Sequence, residues 1–416
     1  MPAEPIPFEP AERRAILKAK RALKMARSAH AYVRGSTERF YEWLDESGGA
    51  HLPAGPPVWI CGDCHVGNLG PIARTAGEIV VELRDLDQTV IGNPAFDLVR
   101  LALSLAMAAR GSDLPGVTTA RMTENLVAGY ERAFEGEVPG EHLGDLPEPI
   151  RFVMKRAARR TWKQLSRDRL GARPRTTRLP LGRTFWPLTP AERQAVEEAV
   201  QGPGVRKLVT LLEARDDSSE VRLLDAAYWV KGCSSLGLWR AAALVEIIDP
   251  TKSKVERRSQ SLLDFKEAIA TWAPAEGRVK LPEHEGERVV AGARKLAPAL
   301  GERMSAGNML GHDVFIRELL PQDLKVELDE LESEEGKRVA LYLGMIVGCA
   351  HARQMNAEDR SRWLAELAGR RSKTLDAPSW LWSSVVELVG LHERAYLEHC
   401  RRYAMSTDSP AQKPPP

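Results

Sequence analysis

The sequence predicts an α+β protein, mostly helical with a small antiparallel sheet lobe, and three observations carry that expectation. Apolar residues recur at helical spacing through 11–46, 95–110 and 336–403. Alternating and β-branched runs gather instead between about 221 and 325. At 416 residues the chain is long enough for two or three lobes and a large buried core.

The elements follow in order. AERRAILKAKRALKMARSAHAYVRG and then STERFYEWLDES, with its Ser/Thr start signal, read as helices of an N-terminal segment, 1–50. Pro53, Gly55, Pro56 and Pro57 break that pattern. PVWICGDCHVGNLG is a short apolar strand entering a Gly-rich loop, and GEIVVELRDLDQTV is a β-branched strand ending in acids. NPAFDLVRLALSLAMAAR then reads as a buried helix, completing a segment 51–116 that carries the acidic loops.

Residues 117–220 are expected to form a mostly helical insertion, interrupted by a Pro/Arg/Thr-rich loop near 171–187. A strand lobe follows over 221–325. In it, RLLDAAYWVKGCSSLGLWRAAALVEI is a strand–loop–strand, SLLDFKEAIA a strand, GERVVAGARKLAPAL a helix and DVFIRELLP a strand with a stop. Helices return over 326–405, and the Pro-rich tail 406–416 is expected to be disordered.

Composition removes several classes of function. Hydrophobic residues are 43% and charged residues 28%, the balance of an ordinary globular protein. A formal net charge of +2 gives no argument for a polyanionic partner. No run approaches the roughly 18 apolar residues of a membrane helix. The start MPAEPIPFEPAERR lacks the order of a signal peptide, so a cytoplasmic protein with no membrane partner is expected. Cys61, Cys64, Cys233, Cys349 and Cys400 are odd in number and scattered, which suits a reducing compartment. Cys61 and Cys64 form one CxxC, but no second Cys/His pair follows at zinc-finger spacing, so they read as two unpaired thiols bracketing a loop. Segment 151–178 holds eleven Lys/Arg against one acid, Asp168. Trp162 is the only aromatic between Arg156 and Arg178, so the stacking partners of a single-strand binder are scarce and nucleic acid is not an expected partner.

The chemistry concentrates in two acidic loops. Asp63, His65 and Asn68 lie in GDCHVGN after one strand, and Asp85 and Asp87 lie in RDLD at the end of the next. Adjacent strands ending in this way bring hard oxygen donors together, the donors Mg²⁺ takes while leaving positions for substrate phosphates. A carboxylate beside the metal, not consumed as a ligand, can accept a proton from an attacking hydroxyl. Turn residues of these types are also common without function.

Downstream, Gly232, Ser234 and Gly237 in KGCSSLG stand at G-x-G-x-x-G positions, with Ser replacing the middle Gly. Small residues there let backbone N–H groups approach phosphate, although a plain hairpin turn would look the same. Lys266 in LLDFKEA sits in an apolar strand, where an ammonium needs a phosphate or carboxylate partner or a route to solvent at a sheet edge. Glu287 on the following helix is the expected carboxylate.

GDxHxxN, an Asp on the next strand and GNPAFDL entering a helix resemble the aminoglycoside phosphotransferases and related small-molecule kinases. That resemblance implies a kinase-like two-lobe fold, with Asp63 as catalytic-loop base, Asn68 and Asp85 as metal ligands, and a structural role for Asp97. Cys61 stands where those enzymes carry His. The helix containing AHARQ resembles the one that runs into their catalytic loop, yet here it comes last in the chain. The order of parts therefore implies a circular permutation. Over most of its length the chain also resembles a bacterial family known as domain of unknown function 2252, through KMARSAHAYVRG, GDCHVGNLG, RDLDQTVIGNPAFDLVRLALSL, KGCSSLG, DFKEA, GERVVAGAR, FIRELLP and AHAR.

The expected activity is ATP- and Mg²⁺-dependent phosphoryl transfer to a hydroxyl of an unidentified acceptor, a small molecule or a protein. Asp63 orients or deprotonates the hydroxyl and His65 supports the loop. Asn68, Asp85 and Asp87 bind metal, while Gly232, Ser234, Gly237 and Lys266 bind nucleotide. The same parts would serve AMP transfer or a nucleotide-binding regulatory module without turnover. A metal-dependent hydrolase built on Asp63, His65, Asp85 and Asp87 would leave the Gly loop and Lys266 unexplained.

Overall fold

In the computed structural model, the described residues are 9–407 except 48, 50, 138, 140–145, 172–176, 213–214, 217, 234, 254–256, 277–278, 329–330 and 372–377. The Pro-rich tail from residue 408 and Ser234 therefore lie outside them. The fold is mixed α and β with antiparallel sheets, and helices take about half of the chain.

Strands β1 (Val58–Ile60) and β4 (Val90–Gly92) pair, as do β2 (Leu69–Ala73) and β3 (Ile79–Leu83). These two small ribbons hold the acidic loops between them. The main sheet has β5 (Phe185–Trp186), β6 (Glu220–Trp229), β7 (Arg240–Ile248), β8 (Arg258–Glu267), β9 (Met304–Met309) and β10 (His312–Leu319). It runs in the order β5-β6-β7-β8-β10-β9, antiparallel throughout. The sheet is larger than the sequence suggested because β5 and β9 carry few β-branched residues and gave no strand signal.

Alternation along β8 separates two environments. Leu263 and Phe265 enter a core with Ala241, Val245 and Ile316, covered by helices Pro190–Gln201 and Pro203–Thr210. Asp264 and Lys266 occupy the other face. Lys266 pairs in register with Arg240 on β7 and Phe315 on β10, so it lies on a central strand and the edge-strand reading fails.

The second core is helical. Helix Ala95–Gly111 is buried over all but its last turn and packs against Gly116–Phe134, Ser333–Ala352 and Ser379–Thr407. Gly116–Phe134 and Ser333–Ala352 meet backbone to backbone. A Cβ on Gly129 would come within 1.9 Å of the Leu341 carbonyl oxygen, and one on Gly344 within 2.1 Å of that of Leu126. The segment 117–220 is divided: its helices Gly116–Phe134 and Glu148–Ala158 join the helical core, Trp186, Leu188, Val196 and Val209 pack on one face of the sheet, and Leu170, Leu179 and Phe185 join a third cluster with Trp229 and Leu262. Among the described residues no helix is long and apolar enough to cross a membrane.

Candidate active site

The loop 61–68 is held from beneath by Asp97 at the start of the buried helix. Its Oδ2 accepts from Cys61 N (2.7 Å) and its Oδ1 from Gly62 N (3.0 Å). His351 Nε2 lies 3.2 Å from Asp97 Oδ2, and Tyr130 Oη lies 3.0 Å from His351 Nδ1. Trp363 Nε1 in turn donates to Tyr130 Oη at 3.0 Å. One directional chain satisfies all four groups if the imidazole proton sits on Nε2, so that Tyr130 donates to Nδ1 and His351 to Asp97. Every member is at most 1% exposed, which fixes the loop to the helical core. Asp97 thus has the structural part expected of it. His351 was missed as an anchor, although AHAR signalled its helix.

Asp63 is buried at the cavity wall. Arg100, one turn beyond Asp97, donates from Nε to Asp63 Oδ1 at 2.9 Å and from Nη2 to the Val33 carbonyl at 2.7 Å. The other carboxylate oxygen has His65 Nε2 at 4.0 Å. Burial pushes the Asp63 carboxyl up, against the pull of Arg100. His65 is held well below the usual imidazole range by burial and by Arg34, Arg100 and Lys325. It is therefore a neutral imidazole beside an acid. The signal for Arg100 was present in the sequence: a lone arginine in a buried helix requires a carboxylate.

Asn68 spends its amide donors on two backbone carbonyls, Asp63 O at 2.9 Å and Asp85 O at 3.2 Å. Those bonds tie the two acidic loops together and leave the side-chain oxygen as the available ligand atom. Across from them, Lys266 Nζ lies 3.2 Å from Asp85 Oδ1 and also contacts Asp87 Oδ2. Burial opposes ionisation of Asp85, but Lys266, Arg317 and Lys325 outweigh it and hold its carboxyl well below the usual range. Half of the Asp85 side chain is exposed, which limits that burial effect. Burial and the neighbouring Asp85 charge push Asp87 up to about 6, with Lys266 pulling the other way. Asp87 Oδ1 is buried and meets no donor.

Glu287 does not serve Lys266. It is on the exposed side of helix Glu285–Leu296, whereas the next residue, Arg288, turns inward. There Arg288 Nη2 donates to the carbonyls of Asp87 (3.0 Å) and Ile269 (2.9 Å). Helical periodicity marked the face correctly but not which acid would meet the lysine, and the acids of the 85–87 loop do.

A cavity of about 560 Å³ joins the parts. Asp63, His65, Asn68 and Asp85 line it from one side, and Gly232 and Ser235 from the β6–β7 turn. Gly232 has φ +100°, and a Cβ there would lie 2.3 Å from Ser235 Oγ, so the turn needs glycine. Gly237, at φ +111°, is outside the lining. Arg156, Arg160 and Arg169 of the basic stretch reach the same cavity, together with Arg34, Arg84 and Lys325, none of which the sequence reading singled out. Cys61 and Cys64 are buried and free.

Among the described residues no group of three or more His, Cys, Asp or Glu is placed to hold a metal ion. The donor set present is instead an amide oxygen, the half-exposed Asp85 carboxylate and the orphaned Asp87 Oδ1. That set fits an ion such as Mg²⁺, which takes one or two carboxylates and leaves its other positions to water and substrate phosphate.

No curated protein and no solved structure matches the chain. The model of a bacterial family, described as "Uncharacterized protein conserved in bacteria (DUF2252)", matches residues 13–402, and the chain belongs to that family.

Proposed function

We propose that the chain is an ATP- and Mg²⁺-dependent phosphotransferase with a kinase-like, circularly permuted arrangement of parts. The observation that carries this reading is the meeting of Lys266 with Asp85 and Asp87, residues 181 and 179 positions away in sequence. Of these, Asp85 lines, with Asn68 and Asp63, a cavity that the β6–β7 glycine turn also lines. The order glycine turn, lysine strand, helix and strand pair supports the same reading.

Asn68 and Asp85 would hold the metal, with Asp87 Oδ1 as a further oxygen. The bound ion would supply charge neutralisation on the transferred phosphoryl group. In this account Lys266, which spans the two carboxylates, would also bind phosphate oxygens of the nucleotide. Asp63, with one oxygen fixed by Arg100, takes the proton of the acceptor hydroxyl while that oxygen bonds to the γ-phosphorus and ADP departs. Neutral His65 packs beside that carboxylate and does not compete with it as a cation.

The test is label transfer. Purified protein with Mg²⁺, a small-metabolite extract and ATP labelled at either the γ or the α phosphate should transfer only the γ label and release ADP. Transfer of the α label would assign AMP transfer instead. A metal-dependent turnover that proceeds without any nucleotide would remove the phosphotransferase reading.

A further inference from the structure

The cavity is more cationic than its chemistry with Asp63 and Asp85 requires. Nine lysine and arginine side chains line it against five acids. Three of those acids are already matched by cations outside the lining: Asp63 by Arg100, Asp85 by Lys266 and Asp323 by Arg303. Asp168 is taken by Arg160. Among the described residues seven of the nine cations, Arg34, Arg84 and Lys325 included, then remain without an ion pair.

Two details make this a built site rather than a solvated basic face. Arg84 is 8% exposed, donates from Nη2 to the Asp323 carbonyl at 3.2 Å, and keeps Nε and Nη1 buried with no acceptor. Such donors cost stability unless something accepts from them. Arg34 is fixed over Gly67 of the acidic loop, where a Cβ would come within 2.8 Å of its Nη2. Arg34 and Lys325 act on His65, two residues from the proton acceptor, and Lys325 also acts on Asp85, while Lys266 is not among the lining residues.

Resting on the phosphotransferase reading, we infer that the acceptor is itself a phosphate-bearing small molecule, its phosphate held by Arg34, Arg84 and Lys325 while its hydroxyl faces Asp63. Three cations suit a dianion, and guanidinium forks match tetrahedral oxyanions. A dianionic phosphate leaves one of the three positive charges over, whereas a monoanionic carboxylate leaves two.

The probe is inorganic phosphate, titrated calorimetrically into the full chain without metal, with acetate as the comparison anion. Wild type should bind phosphate at least tenfold more tightly than acetate. Arg34→Gln combined with Lys325→Gln should weaken phosphate at least tenfold. Lys266→Met should change it less than twofold, and saturating Mg·ADP should not displace it. Arg34 is half-buried and Lys325 exposed, so the double variant should keep the wild-type melting temperature, a control that the buried Arg84 would not offer. The inference is overturned if the double variant binds phosphate normally or if acetate binds equally well. It also falls if Mg·ADP and Lys266→Met both abolish phosphate binding, because the cations would then serve the nucleotide. Phosphate binding of the expected pattern in a chain that binds no nucleotide would keep the anion site and refute the phosphotransferase. Nucleotide binding without phosphate binding would do the reverse.

Discussion

Two residues apart on one face of β8, Asp264 and Lys266 occupy opposite kinds of ionic surroundings. Asp264 is 1% exposed and saturated. Arg240 grips it with two bonds, 2.8 and 2.5 Å, and Arg317 and Lys231 stand at 3.4 and 3.6 Å. Burial opposes its charge, yet Arg240, Lys231 and Arg317 hold it far below the usual carboxylate range. The Lys266 knot is unsaturated: one ammonium serves two carboxylates, Asp85 is half exposed, and Asp87 keeps an orphaned oxygen. A saturated knot can only hold strands together, whereas an unsaturated one at a cavity has capacity for a ligand. Glu82 extends the series as a buried carboxylate with no ion pair among the described residues, whose Oε2 accepts from Ala299 N at 3.1 Å.

The predictions probe that contrast. Asp63→Asn removes the proton acceptor and also the charge that pairs with buried Arg100, so phosphoryl transfer should fall by about 10²–10⁴ with some loss of stability beside it. A variant with full turnover would take Asp63 out of that role. Asp264→Ala should cost about 3–5 kcal/mol in chemical denaturation, because it strands buried Arg240 and its neighbours. Lys266→Met, two residues on, should cost no more than about 1–2 kcal/mol, since Asp87 can take up a proton, while transfer is lost. Equal destabilisation by the two substitutions would erase the distinction between scaffold and site.

Glu82 gives a pH-dependent check. Burial raises its carboxyl from the ordinary 4.5 to about 7, against Arg353 and Arg74. The fold therefore favours the protonated acid. Its stabilising contribution is complete below about pH 4.5, is lost as pH rises through 7, and stays lost above. Glu82→Gln should accordingly stabilise the protein by on the order of 3 kcal/mol at pH 8, with the gain vanishing near pH 4.5. A gain independent of pH would mean that the charge on Glu82 is not what burial penalises. The smallest effect belongs to exposed Glu287: its change to Ala should shift stability by less than about 0.5 kcal/mol and turnover less than twofold.

The acidic loops were legible because residue type, spacing and position at strand ends all pointed one way. Asp63, Asn68 and Asp85 line one cavity, and Lys266 contacts Asp85. The partner of Lys266 was not legible, because periodicity tells which residues share a helix face but not which loop that face meets. Arg34, Arg84 and Lys325 come from three distant segments, and nothing local marks their convergence. Strand β2, LGPIA, reads as a loop through its Gly and Pro, and β9, MSAGNM, has no β-branched residue. The helices of 190–210 show the same period whichever core they cover, so only packing revealed that they belong to the sheet.

The most direct measurement is a thermal-shift titration of ATP with and without Mg²⁺ on wild type and Asp85→Ala. The account predicts a stabilisation that needs both nucleotide and metal and that disappears in the variant. No shift with any nucleotide, or an equal shift in Asp85→Ala, would contradict it.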